Sequence, residues 1–379
     1  MKEYDFIFAG AGCASLSLVY YLLESPLKDS KILLIDPEIN QVPSKTWCYW
    51  AESPLKIHPS NAIRFWESLK LSSPKQQHQY SFSKLKYFHL ESTDFYDAIW
   101  KKIKSNSNID TLASKVISLE DNHSHGIVHC SGDVTFNGKT IFDSRITDQD
   151  YHSPGMLKQL FAGWVVKTED SLFDSKAMTL MEWSQEISAD FEFFYILPFS
   201  DKSALIEYTT YSTNLISKKS LERKIQEYLE QKFPDSEFSI SFQESGMIPM
   251  TTKSREFSSS KTIHPIGTRA GWTKASTGYT FHKIQLETQR IATELVQGKS
   301  ISTYKSSKRF KFYDNILLNI AHKWPNELSN LFNDLFKKTP MDQLFRFLNE
   351  ETSIWEELSI LSRLRFAIFI KSLISYEKR

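Results

Sequence analysis

From Tyr4 to Asp36 the spacing of apolar positions changes from strand to helix and back within about thirty residues, the length of a βαβ unit. Tyr4-Asp5-Phe6-Ile7-Phe8-Ala9 is a nearly continuous apolar run, as a strand buried on both faces presents. It leads into Gly10-Ala11-Gly12-Cys13-Ala14-Ser15, then into the helical segment Leu16 to Leu23, then into a second strand run, Lys31 to Ile35, closed by Asp36. A glycine fingerprint between strand and helix, with an acid at the end of the next strand, predicts a dinucleotide cradle. Gly10 permits the sharp turn, and Gly12 lets backbone approach a pyrophosphate at the helix N-terminus. Ser15 stands where a third glycine is usual and is small enough for helix and strand to lie close; Asp36 takes a ribose hydroxyl pair. The cradle's place at the front of the chain favours FAD over NAD.

Beyond Asp36, Pro37 to Trp50 reads as a loop, dense in aromatics that need burial. Gln79 to Leu90 alternates as strands do, and Ser92-Thr93-Asp94 caps a helix running through Phe95, Ile99 and Ile103. Short strands fill Asn106 to Asn137, with Asn137-Gly138 predicted as a hairpin turn and Ile141 to Arg145 leading back to the nucleotide domain. From Met156 to Pro249 the pattern shifts to longer strands at Phe161–Lys167, Ala177–Trp183, Glu192–Phe199 and Ser203–Ser212. The last two form an antiparallel hairpin about Ser200-Asp201-Lys202, followed by an amphipathic helix from Leu221 to Phe233. His264 to Gly267 is a short strand, Thr268 to Gly278 a glycine-bearing loop, and Phe281 to Gln297 a helix ended by Gly298. Such a helix aims its positive end at whatever the loop holds. Thr303 to Arg379 is helical, and its Leu358 to Lys371 stretch combines apolar residues with Arg363, Arg365 and Lys371, as a helix lying in a membrane interface does.

The expected fold class is α/β: a glutathione-reductase-like, FAD-binding Rossmann fold with an inserted, mainly antiparallel-β substrate domain and a helical C-terminal part. Residues 1–155 and 261–300 are the two parts of the FAD-binding domain, 156–260 the insertion and 301–379 the helical region. The chain's 46 basic and 45 acidic residues are interspersed, which gives no case for nucleic acid. Three cysteines make neither a disulfide framework nor a metal set. No run reaches the ~18 apolar residues of a membrane span, and no export signal precedes the cradle. An aromatic content of 14% points to a large apolar cavity or a membrane-facing surface.

Several separated stretches, in this order, resemble the bacterial lycopene β-cyclase family over nearly the whole chain. They are Gly10 to Ala14, Lys45-Thr46-Trp47-Cys48, Asp143-Ser144-Arg145, Phe161-Ala162-Gly163-Trp164, Phe173-Asp174, Leu180-Met181 and Phe194 to Phe199. Leu205-Ile206-Glu207-Tyr208-Thr209, Glu244 to Met250, Gly271 to Phe281 with Ser276-Thr277-Gly278-Tyr279, and Phe345 to Leu348 continue it. The resemblance implies an FAD enzyme acting on lycopene or a related acyclic carotenoid, with reduced flavin supplied through NAD(P)H and no net redox change. The three cysteines fit a reducing cytoplasm, and a water-insoluble substrate together with the Leu358 to Lys371 stretch points to peripheral association with the inner membrane. Glu207 matches the family's essential acid; the cofactor-binding candidates, read from the cradle and the second glycine loop, are Gly10, Gly12, Ala14, Asp36, Gly271, Thr277, Gly278 and Tyr279. The sequence departs at Ser15 and at Tyr208, where a second acid is common.

Ring closure of a ψ end group begins with a proton at C2, leaves a cation at C1 that the C5=C6 bond attacks, and ends with loss of a proton from C6. A carboxyl in an apolar cavity keeps its proton to higher pH, so Glu207 is the candidate donor. Aromatic faces and an electron-rich flavin stabilise the cations. Two other readings use the same fingerprint: a flavin monooxygenase or ketoreductase, which consumes NAD(P)H stoichiometrically, and a non-enzymatic prenyl-lipid escort protein of related fold.

Overall fold

The computed structural model describes residues 2–73, 76–146, 155–183, 189–253, 260–364 and 366–379. The predicted βαβ unit is present: the strands Glu3–Ala9 and Ile32–Ile35 run parallel on either side of the helix Cys13–Leu23. They lie in a seven-stranded sheet ordered 109–112, 32–35, 3–9, 134–143, 126–130, 116–121. The strand Ile263–Pro265 returns from far along the chain to pair, parallel, with the upper part of 134–143. The helices Ser92–Lys104 and Phe281–Val296 pack with Cys13–Leu23 around a core that includes Phe8, Leu16, Leu34 and Phe95.

A second seven-stranded sheet stands beside the first, in the order 239–250, 157–167, 203–212, 191–198, 178–182, 68–73, 76–81. Its two faces differ. On one, Ala162, Ile206 and Tyr208 meet Leu221, Ile225 and Leu229 of the helix Lys218–Lys232, whose i, i+4 spacing makes one buried stripe. On the other, Phe193, Leu197, Leu205 and Tyr211 meet Ile316, Phe332 and Phe345 of the C-terminal helices. Those helices are Lys308–Lys323, Glu327–Lys338, Met341–Leu348, Ile354–Leu361 and Phe366–Ile374. A small sheet of Thr46–Ala51, Lys86–Glu91 and Arg64–Trp66 sits between the two large ones.

Four local expectations are corrected. Asn137-Gly138 is not a turn: both lie inside the strand Val134–Asp143, and a methyl group on Gly138 would come within 2.8 Å of Ile7 Cγ1. That glycine serves close strand packing, and the hairpin turns at Gly132 and Asp133, both with positive φ. The loop after Asp36 ends before Thr46 and does not run to Trp50, because Thr46–Ala51 is a strand paired with 86–91 that buries Tyr49 and Trp50. Ser92 does not cap its helix; its hydroxyl accepts from Lys45 N at 2.7 Å and donates to Pro43 O, tying down the loop instead. The Leu358 to Lys371 stretch is broken between Leu361 and Phe366, with Leu364 buried at the break; Arg363 donates to Lys338 O at 2.8 Å, and Arg365 lies outside the described residues.

Candidate active site

The glycine turn is shaped by what stands behind it. Gly10 has φ +102°, and a Cβ there would overlap Ser144 Oγ, whereas a Cβ on Gly12 would meet nothing within 4 Å. The turn is therefore closed on its protein side and open on the other, at the N-terminus of Cys13–Leu23, where backbone amides and the helix dipole favour an anion. Ser15 is fully buried in the place of the third glycine, and its hydroxyl donates to Ser144 Oγ at 3.0 Å. Asp36 accepts Ala11 N–H at 2.9 Å and Glu38 N–H at 2.8 Å, one on each oxygen. Each oxygen keeps a second lone pair, so the carboxylate remains able to take a ribose hydroxyl pair.

The second glycine loop comes to this cradle directly. A Cβ on Gly267 would lie 2.9 Å from Ala14 Cβ, so the turn Gly267–Ala270 rests on the first helix through Ala14. Asp143, buried, is gripped by Arg145 Nε and Arg269 Nε, both at 2.8 Å, which fixes the strand end to the loop. Gly271 follows at φ +74°. Lys274 is held between Asp314 at 2.9 Å and Glu350 at 3.0 Å, which locks the loop to the C-terminal helices. Farther on, Gly278 lies on the large sheet, where a Cβ would come within 2.8 Å of Gln159 Oε1. A cavity of about 490 Å³ runs along this loop, with Cys48, Gly271, Thr273 and Tyr279 among its lining.

Beyond the loop, one row of the sheet carries the acid–base groups. Glu244, Gly163, Glu207 and Tyr195 are register partners on four adjacent strands and face the same side. Gly163 is the gap: a methyl there would lie 3.3 Å from Glu244 Cγ and 3.5 Å from Glu207 Cβ. Two carboxyls thus lean over one glycine. Burial, and then the charge of Glu244, push the Glu207 carboxyl up to about 8, against a donated hydrogen bond from Thr209 at 2.8 Å. Glu244, 6% exposed, is also raised by burial, but Thr46 N–H donates to its Oε2 at 2.9 Å and the Lys45 charge favours its ionised form. Of the pair, Glu244 ionises first and Glu207 keeps its proton, because the second carboxyl must ionise beside the charge of the first.

Three tyrosine hydroxyls connect the loop to this row. Tyr279 meets Tyr87 at 2.6 Å, Tyr87 meets Tyr195 at 2.8 Å, and Tyr195 donates to Cys48 Sγ at 3.1 Å. Burial pushes the Cys48 thiol up to about 12, with both glutamates adding to the effect. Around the hydroxyls, Trp50 packs edge-on against Tyr279 and Phe345, with centroids 4.7 and 4.9 Å away. Among the described residues, Glu244 Oε1, Gln159 Oε1 and Thr277 Oγ1 are buried without a partner. Unsatisfied buried groups are costly, and three in one region are what a site completed by a bound molecule presents.

The structure therefore gathers Gly10, Gly12, Ala14 and Asp36 at one end, Gly271, Thr277, Gly278 and Tyr279 along the loop, and Glu207 at the far end. Sequence reasoning passed over Gly163, Cys48, Tyr87 and Tyr195 as site residues and carried Glu244 only within the family-like stretch Glu244 to Met250. Glu207 was reached through the resemblance; the signal for Glu244 is a lone Glu on the face Phe242, Gly246, Ile248 and Met250, and its pairing with Glu207 is legible only once the register is known.

Solved structures share this architecture. A geranylgeranyl bacteriochlorophyll reductase-like protein from Thermoplasma acidophilum superposes with a TM-score of 0.61 at 9% identity, covering 99% of each chain. A flavoprotein/dehydrogenase from Cytophaga hutchinsonii gives 0.61 at 9% identity over 99% of this chain and 100% of that one. A flavin-dependent brominase gives 0.55 at 12% identity over 99% of both. At such identities the likeness establishes the fold, a Rossmann-type flavoprotein fold. No curated protein sequence matches the chain at a significant level. The family model described as "Lycopene cyclase protein" matches residues 5–374, from the cradle strand to the last helix, and the chain belongs to the lycopene cyclase family.

Proposed function

We propose that the chain is a flavin-dependent lycopene β-cyclase, closing ψ end groups of lycopene or a related acyclic carotenoid into β rings by acid–base chemistry. The observation that carries this reading is Glu207, a carboxyl that burial and a neighbouring carboxylate keep protonated near neutral pH inside an aromatic-walled site. A proton donor to an alkene must be a stronger acid than water yet still hold its proton until the substrate arrives, which a raised carboxyl does. Glu207 is the catalytic acid that protonates C2. Trp50, Tyr87 and Tyr279 present aromatic surface nearby, which stabilises a cation without quenching it.

The cradle fits FAD. Gly12 leaves its ligand side open, the helix N-terminus receives the pyrophosphate, Asp36 takes the ribose and the Gly271 to Tyr279 loop receives the ring. Bound there and reduced, with NAD(P)H as reductant, a flavin would supply electron density that stabilises positive charge. The hydrocarbon substrate resides in a bilayer, and among the described residues no helix is long and apolar enough to cross one. Peripheral docking, at the cytoplasmic face of the inner membrane, is supported by Trp355 and Ile374, 78% and 82% exposed on the C-terminal helices.

The test is expression in a lycopene-accumulating host with chromatography of the pigments. Cyclised product from the wild type, and none from Glu207→Gln at equal flavin content, is expected. Lycopene left untouched by the wild type refutes the reading. Stoichiometric loss of NAD(P)H with an oxygenated or reduced product assigns the site to the monooxygenase or reductase class instead.

A further inference from the structure

Ring closure moves two protons at two different carbons, one onto C2 and one off C6. The residue after Glu207 cannot share this work. Tyr208 points to the opposite face of the sheet, buried against Phe194 and the helix Lys218–Lys232, so any acid at that position would be turned away from the site. The neighbouring carboxyl that does face the site comes from another strand. Glu244 stands across Gly163 from Glu207, and one of its oxygens is fixed by Thr46 N–H while the other is buried without a partner. A methyl on Gly163 would touch Leu205 Cδ1 at 3.2 Å as well as both glutamates, so only a residue without a side chain leaves room for the pair there.

We propose that Glu244 accepts the proton lost from C6, so that the acid and the base of the ring closure are two carboxyls facing each other over Gly163. The inference rests on the cyclase reading of the site. Glu207 gives its proton to C2 as the C1=C2 electron pair forms the new C–H bond. The C5=C6 pair then forms C1–C6 and leaves the cation at C5. Glu244 removes the C6 proton, and that C–H pair becomes the new C5=C6 bond. The cycle ends with Glu244 protonated and Glu207 ionised, and one proton passing back across the Gly163 gap restores the start. No electron is gained or lost.

The experiment uses the flavin-loaded, reduced protein with lycopene in liposomes made up in D2O, comparing wild type, Glu207→Gln, Glu244→Gln and Glu244→Asp. Glu207→Gln should give neither ring nor deuterium in the recovered carotenoid. Glu244→Gln should still place deuterium at C2, while β-ring formation falls at least ten-fold. The remaining product should carry ε rings, γ rings or a hydroxyl at C1, from cations that lose a proton elsewhere or meet water. β-Ring formation by Glu244→Gln within two-fold of wild type overturns the proposal. So does a Glu244→Gln protein that keeps its flavin and thermal midpoint but takes up no deuterium, since Glu244 then serves the donor and not the second step. If Glu244→Gln does not fold, Glu244→Asp decides: retraction by one methylene should raise the ε and γ share, and an unchanged β share overturns the assignment. Wild-type protein that leaves lycopene unlabelled and acyclic condemns the cyclase reading itself, a result distinct from all of these.

Discussion

Replacing Glu207 by Gln should make the protein more stable than wild type as pH rises from about 4.5, by an amount that grows until about pH 8 and is constant above it. In the unfolded chain this carboxyl ionises near its ordinary value of 4.5; in the fold it is pushed up to about 8. Between those values the folded protein holds a proton that the unfolded chain has released, so stability falls as pH rises, and the fall is complete once the folded carboxyl ionises. Each pH unit of that interval is worth about 1.4 kcal/mol, a ceiling of about 5 kcal/mol. The side chain retains partial solvent contact, which reduces the expected loss to about 2–3 kcal/mol. Glu207→Gln keeps the size and the Thr209 contact but has no proton to lose. Urea unfolding of both proteins at constant ionic strength from pH 5 to 9 should show two curves together at pH 5 and about 2–3 kcal/mol apart at pH 9, the variant higher. Curves that stay parallel across this range would refute the claim that Glu207 is held protonated by its surroundings.

Gly163→Ala should fold with a loss of about 1–3 kcal/mol and keep its flavin, yet lose most cyclisation, because the methyl occupies the gap between the two carboxyls; flavin absorbance and pigment chromatography check this. Gly10→Ala places a side chain at φ +102° against Ser144 Oγ, and the purified variant should carry little or no flavin by absorbance where wild type is loaded. Lys274→Met leaves Asp314 and Glu350 facing each other without their cation, at a cost of about 3–5 kcal/mol by urea unfolding at neutral pH. Trp355→Glu combined with Ile374→Glu should reduce flotation with anionic liposomes without changing the unfolding midpoint, since both side chains face solvent.

How much the chain disclosed by itself depended on whether a feature was local. The strand, turn and helix of the cradle could be read because Gly10, Gly12 and Asp36 lie within one βαβ unit, and the hairpin 191–212 because its turn residues sit between its strands. Asn137-Gly138 misled because the dipeptide that favours a tight turn also suits a strand pressed against Ile7, and only the neighbouring strand decides between them. The Leu358 to Lys371 stretch misled because its apolar and basic residues were counted together although Leu364 turns inward and Arg363 is fastened to Lys338. Glu207 was visible only through the resemblance, since a glutamate on a strand is ordinarily solvated. Its relation to Glu244 depends on register across three strands, 157–167 lying between the other two, and no spacing along the chain encodes that.

The tyrosine hydroxyls have a direction. Each has a single hydrogen to give. Tyr195 spends its hydrogen on Cys48, so its oxygen must accept from Tyr87, and the oxygen of Tyr87 must then accept from Tyr279. All three bond dipoles consequently point the same way, positive ends toward Cys48 and negative ends toward the loop. Cys48 sits where the charges of Glu207 and Glu244 are felt, so the aligned row lowers the potential energy of a negative charge at the carboxyls and of a positive one near Tyr279. The polarity is anchored at one atom: without the sulfur, Tyr195 is released to donate elsewhere and the whole row is free to reverse.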